Sequence, residues 1–156
     1  MDDRSGIADQ IGALALHIDA RRWDALLDLF APTVQADWTS LFGGAPQALT
    51  RDQLIANWRQ LLPGFTRTTH VIGTPTIDVH GDTANASASV VAWHFIKEHS
   101  LEGRDLWLAG GTYEIDFLKR GGAWRITAMT LARAWAEGNL DLPRLAAERV
   151  THSVSA

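Results

Sequence analysis

Apolar residues in the first third of the chain recur with a helical period. Ile7, Ile11, Leu14 and Ile18 mark one buried stripe, and beside it a stripe of small residues, Ala8, Gly12 and Ala15, continues at the same spacing to Asp19. A carboxylate therefore falls at the edge of a buried helix face, with small neighbours around it. After the basic pair Arg21-Arg22, the positions Trp23, Leu26, Leu27 and Phe30 predict a second short helix closed by Pro32. Val34 to Thr39 reads as a first strand and Gly43-Gly44-Ala45-Pro46 as a loop. Thr50 with Gln53 three residues on has the pattern of a capping box. It opens a third helix through Leu54, Ile55, Trp58, Leu61 and Leu62 that stops at Pro63-Gly64.

Beyond Phe65 the pattern changes from helical to alternating and stays so to Trp135. Stretches 66–79, 83–97, 105–119 and 123–135, separated by Gly81-Asp82, Gly103 and Gly121-Gly122, predict an antiparallel meander. A short helix is expected from Leu140, with a loose tail over 151–156. Helices first and strands afterwards is the α+β order, with the helices on one face of a curved sheet. At 156 residues the chain is the size of one domain, taken here as 1–150.

Stretch 83–97 says what lies between helices and sheet. Its even positions are Ala84, Ala86, Ala88, Val90, Ala92, His94 and Ile96, and its odd positions include Thr83, Asn85, Ser87 and Ser89. The even face is the inner one, and it is built mostly of alanine. Such a face cannot fill a thick core alone, so either large side chains reach across to it or a cavity remains.

His94 lies on that inner face. Counting back from a two-residue Gly81-Asp82 turn puts His70 opposite Trp93, facing outward. Gly73-Thr74-Pro75 interrupts the ladder, however, because proline has no N–H to donate, and a one-residue bulge there would turn His70 inward, beside Ala92 and diagonal to His94. With the bulge, Asp19 is the carboxylate placed to meet one of these rings. An Asp paired to a His fixes the imidazole tautomer and stabilises the imidazolium, leaving the other nitrogen free to remove a proton. A buried salt bridge without a catalytic role is the competing reading of the same residues.

Composition narrows the classes. A net charge of −4 with no Lys/Arg run argues against a nucleic-acid partner. The chain has no cysteine, hence no thiolate nucleophile and no Cys-ligated zinc, and no His spacing of the H-E-x-x-H type, so no metal site is expected. No serine sits in a nucleophile elbow, and Gly110-Gly111 lies in a strand with no helix after it, which argues against a phosphate-binding loop. His17, His80, His99 and His152 fall at positions expected to be solvated or off the main stripe. The N-terminus lacks the basic-then-apolar order of a signal peptide, and no apolar run reaches the roughly 20 residues of a membrane span, so the expectation is no membrane partner and a cytoplasmic location.

Seven Trp stand against one Tyr. Trp23 and Trp58 fall on buried helix faces. Trp38 ends the first strand at the Gly-rich loop, a pocket wall or mouth, and Trp107 shares a strand face with Ala109 and Tyr113. Trp93 with Val91 and Phe95 makes an apolar patch on the outer sheet face, expected to be covered by a second copy of the chain in a dimer or trimer.

The segments Asp19-Ala20-Arg21-Arg22-Trp23-Asp24-Ala25-Leu26, Phe30-Ala31-Pro32-Thr33, Ala36-Asp37-Trp38, Thr69-His70-Val71-Ile72-Gly73, His94 and Gly122-Ala123-Trp124-Arg125-Ile126, in this order, resemble the nuclear transport factor 2-like superfamily and its SnoaL-like, scytalone dehydratase-like branch. The resemblance implies a cone-shaped α+β barrel around a closed pocket. It also implies a site of one Asp and two His that match Asp19, His70 and His94, with no metal and no organic cofactor. Two tyrosines of the family that hold a substrate-polarising water fall on Ile18 and Trp38, and the family's asparagine falls on or near Tyr113. The base is kept and the electrophilic side is changed.

From these readings the expected activity is a cofactor-independent lyase, dehydratase-like, or an isomerase acting on a small apolar cyclic or aromatic molecule. His70 is the expected base, Asp19 its support, and His94 a proton donor or the group that positions a leaving hydroxyl. Trp38, Tyr113, Trp107 and Ile18 are the expected substrate contacts. The alternatives are a non-catalytic binding or dimerisation module of the same fold, or an enzyme of the polyketide cyclase or ketosteroid isomerase kind.

Overall fold

A computed structural model describes residues 2–154. Helix α1 (Asp3–Asp19) buries Ile7, Ile11, Leu14 and Ile18 along one side, the predicted stripe. Helix α2 (Trp23–Leu27) is shorter than predicted: Phe30 opens strand β1 (Phe30–Asp37), and Pro32 lies within that strand instead of closing a helix. The β1–β7 pairing breaks between Phe30 and Gln35, so the missing proline N–H falls where the ladder is already interrupted. Thr39, expected at the end of the strand, begins the one-turn helix α3 (Thr39–Phe42).

Strand β2 (Gln47–Thr50) was not legible in the pattern, being mostly exposed. Helix α4 (Arg51–Arg59) starts at the predicted capping box: the Gln53 N–H donates to Thr50 Oγ1, and the Thr50 N–H donates to Gln53 Oε1. Such a cap is worth about 1 kcal/mol. The helix stops at Arg59, and a single 3₁₀ turn over Leu62–Gly64 leads into β3 (Arg67–Ile72). Strands β4 (Thr76–His80), β5 (Thr83–Phe95), β6 (Leu106–Arg120) and β7 (Ala123–Gly138) complete the sheet. Helix α5 (Leu142–Val154) then continues through Thr151–Val154, where a loose tail was expected; residues 155 and 156 lie outside the described residues.

The seven strands run β2-β1-β7-β6-β5-β3, with β4 also on β5 beyond β3. Among the described residues only the β1–β7 pair is parallel. The two ends of the sheet do not pair with each other, so it is an open, curved α+β cone and not a closed barrel. Part of the curvature comes from a bulge in the β6–β7 ladder between Gly110 and Gly111. A Cβ on Gly111 would stand 2.1 Å from the Ala132 carbonyl oxygen, so only glycine allows this approach. The extra residue, Ala134, lies on β7, and Gly110-Gly111 opposite it let the bulged strand come close.

Even positions of β5 from Ala84 to His94, and Ile96 just past its end, are buried, as the alternation predicted. The opposite face leaves Val91, Trp93 and Phe95 half-buried and exposes Val71, Leu106 and Trp135, an apolar patch broader than the sequence suggested. Among the described residues no helix is long and apolar enough to cross a membrane.

Candidate active site

The position of His70 depends on one extra residue. In the β4–β5 hairpin Thr76 pairs with Ser87, whereas in β3 Ile72 pairs with Val90 and His70 with Ala92. Three residues, Gly73-Thr74-Pro75, therefore span the distance that Ala88-Ser89 spans on β5. This is the bulge expected from Pro75, and it turns His70 to the inner face beside His94. The two imidazoles meet edge to face with centroids 5.5 Å apart.

Asp19 closes α1, at the negative end of the helix dipole, where an anion gains nothing from the helix itself. Its partners come from β3. His70 Nδ1 lies 2.7 Å from Asp19 Oδ1, the Thr68 hydroxyl donates to the same oxygen at 2.8 Å, and the His70 backbone N–H donates to Oδ2 at 2.7 Å. Burial works to raise the Asp19 pKa, but the hydrogen bonds from His70 and Thr68 and the nearby His70 ring outweigh it and hold the carboxyl below its ordinary value. The carboxylate accepts, so Nδ1 is the nitrogen that carries a proton, and in the neutral ring that tautomer leaves the lone pair on Nε2. Thr68 was not foreseen, although its spacing two residues before His70 places it on the same strand face.

Of this group, His70 borders a cavity of about 400 Å³. Its wall includes His70, His94, Ile18, Trp38, Trp107 and Tyr113, six of the seven residues singled out from the sequence. Asp19 is not on the wall; it stands behind His70. The cavity exists because its sheet side is thin, with Ala36, Ala92 and Ala109 where larger side chains would fill the space. Large residues do reach across, so both outcomes expected of the alanine face occur together.

His94 is 6% exposed and packed between Phe65 and Trp107, with ring centroids at 4.9 and 4.3 Å. Its Nδ1 is buried without a hydrogen bond. Burial, with His70 close by, lowers its pKa to about 3, so the ring is neutral near pH 7. A role as imidazolium acid is therefore disfavoured, and positioning a hydroxyl is the expectation that fits. Tyr113 is buried, and burial together with the Asp19 charge raises its pKa, keeping the phenol protonated as a donor.

Trp58, assigned from the sequence to the core, also lines the cavity and meets Trp38 edge to face at 5.9 Å. Leu41 and Phe42 from α3 and Asn57 from α4 line it as well. No periodic signal marked these, because they lie on a one-turn helix and on the exposed side of α4. The α3 turn is held to β7 by Ser40, whose hydroxyl donates to the Leu131 carbonyl and accepts from the Arg133 N–H. Among the described residues no cluster of three or more His, Cys, Asp or Glu could hold a metal ion.

A model of the SnoaL-like domain matches residues 1–130. No curated protein matches the sequence. Among solved structures, the Kfla4162 protein of Kribbella flavida is 25% identical, with a TM-score of 0.85 over 91% of this chain and 97% of its own. A nuclear transport factor 2-like superfamily protein of Salmonella enterica matches at 15% identity and TM-score 0.69, over 83% of this chain and 89% of its own. Hexachlorocyclohexane dehydrochlorinase LinA-type3 of Novosphingobium barchaimii matches at 16% identity and TM-score 0.68, over 86% and 88%. The last two likenesses are of fold alone.

Proposed function

The chain belongs to the SnoaL-like domain family, and from that premise and the cavity we propose that it is a cofactor-independent lyase or isomerase for a small, largely apolar cyclic molecule. The observation that carries this reading is the Asp19–His70 contact of 2.7 Å, with the His70 ring on the wall of a largely apolar cavity. His70 Nε2 takes a proton from carbon beside a carbonyl or a leaving group. The C–H bond electrons form the new double bond or enolate, and in an elimination the leaving group departs with its own bonding pair. Asp19 stabilises the imidazolium formed. Tyr113, kept protonated, and the Trp38 indole N–H are the donors available to the developing oxyanion or leaving group, and neutral His94 orients a substrate hydroxyl. Dehydrochlorination, named for one fold neighbour, and dehydration follow this same bond order and differ in the leaving group. The outer patch of Val71, Trp93, Leu106 and Trp135 supports a homo-oligomer, which light scattering of the purified chain tests directly.

The function is tested by screening alicyclic and aromatic ketones, alcohols and halides for quenching of Trp fluorescence, then assaying each binder for turnover. His70→Ala is expected to keep binding and lose turnover. Binding without turnover by the unaltered chain across the whole panel would point instead to a ligand-binding module.

A further inference from the structure

Arg21 is a charged group beside Asp19 that the chemistry above leaves unused. It lies just past α1 in a Schellman turn: the Arg21 N–H donates to the Ile18 carbonyl and the Arg22 N–H to the His17 carbonyl, at 3.1 and 2.9 Å. The turn requires a left-handed residue, and Arg21 has φ +52°. Glycine adopts this conformation without strain, so an arginine here is unfavourable unless its side chain is needed.

The guanidinium has a defined task. Nη2 donates to the carbonyls of Leu62 and Phe65, at 2.7 and 3.0 Å, and Nη1 donates to the backbone carbonyl of Asp19 at 3.2 Å. Leu62 and Phe65 bracket the 3₁₀ turn that leads into β3. Leu62 lines the cavity, and Phe65 is the ring packed on His94. One planar group therefore fixes the end of the helix carrying Asp19 against the start of the strand carrying Thr68 and His70. Arg21 itself does not line the cavity.

We propose that Arg21 is a positioning residue for the Asp19–His70 pair, setting the separation of α1 and β3 through the Asp19, Leu62 and Phe65 carbonyls. This rests on the reading of that pair as the working site, but its test does not require turnover. A Lys keeps the charge but carries its donors on one nitrogen, without the planar fork whose two nitrogens span the three carbonyls. A Gly suits the turn and removes the bridge altogether.

The experiment is NMR of the resting protein, comparing the unaltered chain with Arg21→Gly and Arg21→Lys. Two signals are read: the downfield proton on His70 Nδ1, and the pH titration of the Asp19 carboxyl carbon. In both variants the Nδ1 proton is expected to broaden or vanish, and the Asp19 midpoint to rise by about half a pH unit or more. In Arg21→Lys the charge is retained, so the rise reports geometry. Unchanged proton and midpoint in both variants, whatever happens to thermal stability, would overturn the proposal. Should Arg21→Gly fail to fold, the Arg21→Lys values decide by the same criterion. The base assignment fails separately, through turnover that survives in His70→Ala.

Discussion

His70 stands opposite Ala92, one residue out of step with the hairpin register that joins β4 to β5. Without that step its ring would face solvent across the sheet from Asp19. The first prediction concerns this displacement. Deleting Thr74 makes the strand continuous, turns Thr68 and His70 outward and leaves the Asp19 carboxylate without its partners. Activity is expected to fall at least about 100-fold, and urea unfolding to show a loss on the order of 3 kcal/mol. Stability and activity close to those of the unaltered chain would show that the bulge does not orient the ring.

A second prediction follows from His94. In the folded chain its ring stays neutral until the pH falls to about 3, whereas in the unfolded chain it takes a proton near the ordinary 6.5. Between those values the unfolded chain holds the extra proton, so stability drops as pH falls through the window, by an amount on the order of a few kcal/mol. Asp19, whose pKa is lowered from 3.8, adds a further loss below about pH 4, where the unfolded carboxyl protonates first. Urea titrations from pH 7 to 4 check this. In His94→Phe, which keeps a ring between Phe65 and Trp107, the upper part of the slope should flatten. An unchanged slope would contradict the neutral assignment.

The cavity gives a third. Ala92 contributes to its thin sheet wall and lies directly opposite His70 in the ladder. Ala92→Leu adds volume where the space is empty, so the overpacking cost should stay below about 1 kcal/mol. Ligand binding, followed by Trp fluorescence, is expected to weaken at least about tenfold. A large drop in melting temperature with binding retained would mean that the space is already occupied by protein.

The sequence carried the site further than it carried the loops. Asp19, His70 and His94 were legible because each sits on a strongly periodic element, and the bulge could be inferred from Pro75 because a missing N–H has only a few places to go in a sheet. Thr68 was equally legible by spacing and was missed because a buried threonine resembles an ordinary strand residue. The end of α2, strand β2 and the α3 turn were misjudged for a different reason. Phe30 continues an apolar helical spacing yet pairs with Ile126, a contact nearly a hundred positions away, and Gln47–Thr50 is set by pairing with β1 and not by its own pattern. Leu41, Phe42 and Asn57 reach the cavity only through that tertiary arrangement.

Deuterium exchange at carbon tests most directly the claim that His70 Nε2, supported by Asp19, removes a carbon-bound proton. A ligand that quenches Trp fluorescence is incubated in D₂O with the unaltered chain, with His70→Ala and with Asp19→Asn, and incorporation is followed by NMR or mass spectrometry. The unaltered chain should place deuterium in recovered substrate or product at the carbon beside the carbonyl or leaving group. His70→Ala should bind and incorporate none, with Asp19→Asn slowed at least about 100-fold. Equal incorporation by His70→Ala and the unaltered chain would contradict the account.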